Sequence, residues 1–155
     1  MKSKGSSQSA VSTDKQSDTL TVEIISFGYK QGNPPSANMV YDVRFLKNPF
    51  WVEELRPLTG RDKPVQDYVL TQQLAQDFLR SIGDLVISLV PRALEMKLES
   101  FSVAFGCTGG QHRSVTMVEA LAKRLEQSGL SCKILRLHRE LDKQNDAEPD
   151  CEPVS

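Results

Sequence analysis

Cysteine, tryptophan and histidine are scarce in this chain: three, one and two residues among 155. The cysteines, Cys107, Cys132 and Cys151, are odd in number, far apart and without a Cys-x-x-Cys pair, so they indicate neither a disulfide framework nor a structural zinc site. Two widely separated histidines, His112 and His138, make no metal motif. No apolar run approaches the roughly 20 residues of a membrane span, and the N-terminus lacks the apolar core of a secretory signal. A cytoplasmic protein with reduced thiols is expected, with no metal or other cofactor. Internal repeats are absent, and so is a charge excess, the formal net charge being −1.

What is present suits one ordinary globule, with 39% apolar residues and a length typical of a single domain. Charge is unevenly spread. Residues 20–141 hold 15 Lys and Arg against 13 Asp and Glu, and the flanks hold 4 against 7. A body at +2 is no polycation, so contact with nucleic acid needs a cluster, for which Arg56, Arg61, Lys63, Arg136 and Arg139 are the candidates.

Residues 1–18, rich in Ser, Lys, Gln and Asp, read as a disordered leader. A domain over 19–141 follows, then a disordered acidic tail over 142–155. Within the domain, Leu20–Phe27 alternates and then turns apolar, a first strand closed by Gly28. A Gly- and Pro-bearing loop with Lys30 leads to a second strand, Met39–Leu46, whose period of two puts Asp42 and Arg44 on one face. The plain alternative for that pair is a surface ion pair worth about 0–1 kcal/mol. A short helical piece is expected around Val52–Leu55, with Trp51 as a packing anchor, and Pro64 opens a short helix. Leu74, Phe78, Ile82, Leu85, Val86 and Leu89 form the core stripe of a long helix that Pro91 closes. Phe101–Phe105 is a third strand. After it a helix starting near Arg113 buries Val115, Val118, Leu121, Ala122 and Leu125, and pairs Glu119 with Lys123 on its outer side. Cys132–Leu137 is a fourth strand, ending at His138 and Arg139. Strands separated by helices predict an α/β fold: a small, mainly parallel sheet flanked by helices in three layers, with ligands beyond the strand C-termini.

The junction from Val103 to Val115 carries the chemistry. A buried strand runs into a glycine-bearing polar loop and then a helix, whose first N–H groups lack partners and sit at the positive end of its dipole. Gly109 and Gly110 let the backbone approach a ligand closely. Thr108 and Ser114 add hydroxyl donors, His112 a hydrogen-bonding ring, and Arg113 a fork suited to phosphate. With Lys30, Asp42, Arg44, His138 and Arg139 at the same sheet edge, an anionic ligand is expected. His138 fits a purely structural role equally well.

The blocks Ser26–Lys30, Tyr41–Leu46 with Asn48-Pro49, Leu58-Thr59-Gly60 with Asp62, Gly106–Val115 and His138-Arg139 closely resemble the C-terminal domain of the RapZ/YvcJ family of RNase adapter proteins. The resemblance runs from about Thr19 to Leu141. It implies an α/β unit akin to a phosphofructokinase subdomain, binding glucosamine-6-phosphate and small regulatory RNA, and working with an RNase. It also implies that Asp42 and Arg44 meet the sugar, that Thr108, Gly109, Gly110, His112 and Arg113 hold the phosphate, and that Lys30 flanks it. A homo-oligomer, and a separate nucleotide-binding protein as partner, are further expectations. Family members commonly carry a P-loop domain ahead of this one. No Gly-rich loop with Lys-Ser/Thr occurs here, so nucleotide hydrolysis is not carried over. Some members have His where Phe50 and Gln31 stand.

Two other readings remain open. Cys107 and Arg113, followed by Ser114, fit the Cys-x5-Arg-Ser/Thr loop of cysteine-dependent phosphatases, in which a thiolate at a helix N-terminus attacks phosphorus. Gly106 stands where the tyrosine-phosphatase pattern has His. The third reading is a structural module for oligomerisation. A non-enzymatic regulatory domain, with no catalytic residue, is the preferred expectation.

Overall fold

In the computed structural model of the protein, residues 19–145 are described. The expected leader and residues 146–155 of the expected tail lie outside them. Four strands, β1 (Leu20–Gly28), β2 (Met39–Asp42), β3 (Ser100–Cys107) and β4 (Cys132–His138), form one sheet in the order β2-β3-β1-β4, parallel throughout. Four helices flank it: α1 (Lys63–Leu70), α2 (Gln73–Glu95), α3 (Arg113–Gln127) and α4 (Arg139–Asn145). The α/β fold with a parallel sheet is as the sequence predicts. None of the described helices is long and apolar enough to cross a membrane.

β1 lies inside the sheet, between β3 and β4. Its alternating residues Leu20, Val22 and Ile24 are fully buried and join Val103 and Phe105 of β3 in the core. Met117, Val118, Leu121, Ala122 and Leu125 of α3 meet this face. Val65 and Val69 of α1 and Ile82, Val86 and Val90 of α2 complete it. Each such side chain contributes roughly 1.5–3 kcal/mol by leaving water. Tyr41, Phe78 and Phe105 add edge and stacked ring contacts where α2 crosses β2 and β3.

Several local expectations are corrected. β2 stops at Asp42: Val43 N–H makes the last ladder bond, to the Gly106 carbonyl, and a turn follows, so Arg44 does not share a strand with Asp42. A 3-10 turn at Pro49–Trp51, capped by Asn48, replaces the helical piece expected at Val52–Leu55, and turns fill that stretch. Trp51 is no packing anchor, being 76% exposed. The core stripe of α2 is rotated: Leu74 and Leu85 face solvent, while Ala75, Gly83 and Ala93 are buried with Ile82 and Val86. The long side chain of Arg124 crosses at Gly83, where a Cβ would collide with it, and this selects a small residue over a large one for that face. Glu119 pairs with Arg136 and His138, not with Lys123. α4 extends through Asn145, so residues 142–145, expected in the tail, are helical.

Pro91 does not close α2; the helix continues to Glu95 around it. An exposed proline there leaves the Ile87 carbonyl without its usual donor. Pro91→Ala therefore stabilises the protein by about 1–3 kcal/mol, to be read as a higher urea midpoint at unchanged m-value.

Candidate functional site

The site is built where β1 and β3 end side by side, with Gly28 level with Cys107. β3 is buried from Val103 to Cys107, and the ring of Phe27 lies where a Gly106 side chain would be. The chain then turns back through Thr108–His112 against Gly28. A Cβ on Gly28 would stand 2.5 Å from the Gly109 carbonyl carbon and 2.7 Å from the Gly110 nitrogen. Gly110 in turn has φ +74°, a conformation that disfavours side chains, and its own Cβ would lie 2.7 Å from Gly28 N. Glu140 supports this contact from α4. Its buried carboxylate accepts the Gly28 N–H at 2.6 Å, with Arg139 Nε at 3.1 Å and Lys143 Nζ at 3.3 Å.

In front of the loop lies a cavity of about 400 Å³. Lys30 stands on one side, Asn48, Phe50 and Trp51 on another, and Cys107, Thr108, Gly109, Gln111, His112 and Arg113 form its floor. The amides of residues 109–112 donate in none of the loop hydrogen bonds among the described residues, and the first α3 amides have no intrahelical partner. Gly109 has open space where a Cβ would project.

Arg113 is 5% exposed. One terminal nitrogen donates to the carbonyls of Arg44, at 2.9 Å, and Leu46, at 3.1 Å; the other reaches Thr108 Oγ1 at 3.3 Å. Nε is buried without a partner. Among the described residues this guanidinium has no carboxylate within ion-pair distance. Carbonyls position it at the cavity floor without an ion pair, the Asp42 carboxylate being near enough to feel its charge but bonded to Arg44. Buried charges ordinarily have a counter-charge.

The other expected site residues fall into two groups. Lys30, Thr108, Gly109, His112 and Arg113 meet at the cavity. Gly110 and Ser114 shape it from behind, Ser114 Oγ lying 3.1 Å from Cys107 Sγ. Asp42 and Arg44 stand beside the cavity, not in its wall, locked in a forked pair (2.6 and 3.0 Å) with the guanidinium 4.1 Å over the Tyr29 ring. Arg44 beside Asp42 holds that carboxyl below the ordinary range. His138 is buried: Nδ1 is 2.8 Å from Ser26 Oγ and Nε2 is 2.7 Å from Glu119 Oε1. Arg139 serves Glu140 and the carbonyls of Asn33 and Gly28. Of the basic candidates, Arg61 is paired with Asp142, Lys63 with Asp67, and Arg136 with Glu119 and Glu126.

Two contributors went unforeseen. Glu140 follows His138-Arg139 directly, and its place at a strand end was the only available signal. Gln111 donates from Nε2 to the carbonyls of Arg56, at 3.1 Å, and Leu58, at 2.7 Å, fastening the 56–60 segment to the loop. No local pattern announces that contact.

Residues 20–142 match the family model described as the RapZ C-terminal domain. A nucleotide-binding protein of Bifidobacterium adolescentis is 51% identical over 127 residues, covering 82% of this chain and 40% of its own. One of Ruegeria sp. is 50% identical over 125 residues, covering 81% and 41%. One of Thermobifida fusca is 47% identical, covering 81% and 42%. The chain thus spans about two fifths of the length of these relatives.

Burial pushes both His112 and His138 below the ordinary imidazole range, so each is neutral in the fold and takes up a proton on unfolding once the pH is below about 6.5. Since the unfolded chain then binds more protons, stability is lost as pH falls through that value and levels off below the depressed folded values. The dependence steepens by up to about 1.4 kcal/mol per pH unit for each histidine. Urea unfolding between pH 7.5 and 5.5 measures it, and His112→Gln or His138→Gln flattens it.

Proposed function

Because the chain belongs to the RapZ C-terminal domain family, we propose that it is a regulatory binding domain whose cavity holds a phosphorylated sugar or a similar small anion against the loop from Gly106 to Ser114. The carrying observation is the buried guanidinium of Arg113, without an ion-pair partner among the described residues, beside unpaired loop amides, with Lys30 at the rim. These groups supply positive potential and fixed donors before any ligand arrives, which lowers the cost of ordering the site on binding. The resemblance of the motifs supplies glucosamine-6-phosphate as the first ligand to test.

Binding without turnover is the reading we prefer. Arg113 is held by backbone carbonyls, whereas phosphoryl transfer through a Cys-x5-Arg loop uses that fork on the transferring oxygens. Cys107, at the cavity floor, is 3% exposed. The description of the relatives as nucleotide-binding belongs to proteins far longer than this chain, and we assign that property to the part it does not cover.

An RNA-adapter role in concert with an RNase is the finer form of the proposal. Lys30 and Arg56, both without a carboxylate partner among the described residues, are the cations we assign to RNA phosphates. With two such contacts, the logarithmic salt slope of RNA affinity is about −1.4 to −1.8. Filter binding between 50 and 200 mM salt checks it; a slope several times steeper means that other surfaces take part.

Calorimetric titration tests the main proposal. Glucosamine-6-phosphate binds, unphosphorylated glucosamine does not, and Lys30→Glu weakens the former by about tenfold or more. Equal binding of both sugars, or of neither, refutes the assigned pocket.

A further inference from the structure

Besides Arg113, the cavity carries a second buried group without a partner. His112 lines the cavity and is 5% exposed, and its Nε2 is buried with no hydrogen-bond partner among the described residues. A buried polar atom left in this way costs stability. Its backbone is fixed, the His112 carbonyl accepting both the Thr116 amide, at 3.0 Å, and the Thr116 hydroxyl, at 2.9 Å.

Opposing forces act on the ring. Burial, the largest, keeps it neutral and the adjacent Arg113 charge acts in the same sense, while the carbonyls of Arg56, Leu55 and Leu58 favour its protonated form. Gln111 holds two of those carbonyls, Arg56 and Leu58, in place. Across the cavity stands Lys30, and beside it Asp42, which Arg44 engages. On the 56–62 segment the Arg56 guanidinium lies over the Phe50 ring, Arg61 meets Asp142, and Asp62 accepts the Thr59 amide. The Cys107 thiol shares the floor, and α1 keeps Lys63 paired with Asp67 on its exposed side. An anion at the loop reverses the balance. Opposite charge within about 4–6 Å favours the imidazolium, and low-dielectric surroundings strengthen the effect.

Resting on the proposed anion pocket, we infer that anion binding at the loop is coupled to uptake of a proton by the His112 ring, so that the site holds anions more tightly as the pH falls. The imidazolium joins Lys30 and Arg113 only when a negative charge is there to meet it, and the free protein is spared the repulsion of adjacent cations. Affinity changes between the ring's titration in the free protein and its titration in the complex, and is level above and below that window.

Sulfate is the first probe, because it keeps both charges where a phosphate ester, with its second ionisation near about pH 6, does not. The chain has two histidines, so an NMR titration of the ring signals from about pH 5 to 8 reads each one, with and without saturating sulfate. The His112 midpoint moves up by about one pH unit or more, while His138, enclosed by Ser26 and Glu119, keeps its own. Saturating glucosamine 6-phosphate moves the same signal. Calorimetry at about pH 7 in two buffers of different ionisation enthalpy counts the protons taken up per sulfate, and sulfate affinity falls by up to about tenfold per pH unit across the window. His112→Gln, whose side chain does not titrate, abolishes both the uptake and the pH dependence; should that variant fail to fold, the ring titrations of the unaltered protein decide alone. Binding of either anion that leaves the His112 midpoint in place, or uptake that persists in His112→Gln, overturns the inference while the pocket stands. If neither anion binds the unaltered protein, pocket and inference fall together.

Discussion

Gly28 against Gly109 and Gly110 is the contact on which the site depends. Two parallel strands ending level would ordinarily keep their following loops apart by side-chain bulk. With hydrogen in place of Cβ on both sides, the loop after β3 folds back over the end of β1 at backbone contact distance. That reversal brings Gly109, Gln111 and His112 to the cavity wall and sets the start of α3. Glu140 locks the arrangement by accepting the Gly28 N–H, a buried charge-assisted bond that keeps the glycine from moving away. A methyl group at Gly28 displaces the loop, and everything the loop presents moves with it.

Electrostatically the molecule divides in two. Its surface ions are mostly paired, in contacts such as Lys63 with Asp67 or Arg92 with Glu95, each of small energetic value. At the cavity the pattern reverses: Arg113 is buried and, among the described residues, hydrogen-bonded only to neutral oxygens. The same fork joins the segment after β2 to the loop after β3, so one side chain both braces the pocket and sets its sign. Asp42 feels the Arg113 charge but forms its ion pair with Arg44.

Much of this was legible in the residues. The passage from Val103 through the glycines to Arg113 announces strand, loop and helix by composition alone, and the alternation of β1 and the apolar stripe of α3 are equally plain. What escaped depends on contacts distant in sequence. Arg113 looked free to hold a ligand because the carbonyls of Arg44 and Leu46 that receive it are not neighbours in the chain. His138 looked like a strand-end site residue until Ser26 and Glu119 enclosed it. Pro91 reads as a stop, yet packing of Val90 and Ala93 against the core carries α2 past it. Trp51 was misjudged by the general habit of large rings, since the turn that holds it out is itself fixed from elsewhere.

The central position of β1 has a consequence for how the protein comes into being. This strand is made before the others of the sheet, but its two neighbours begin at Ser100 and Cys132, so an emerging chain holds it without a strand partner until well past the middle of the domain. Late closure of such distant pairings makes for slow folding. It also exposes Leu20, Val22 and Ile24 to wrong associations on the ribosome, where a holding chaperone has most to offer this protein.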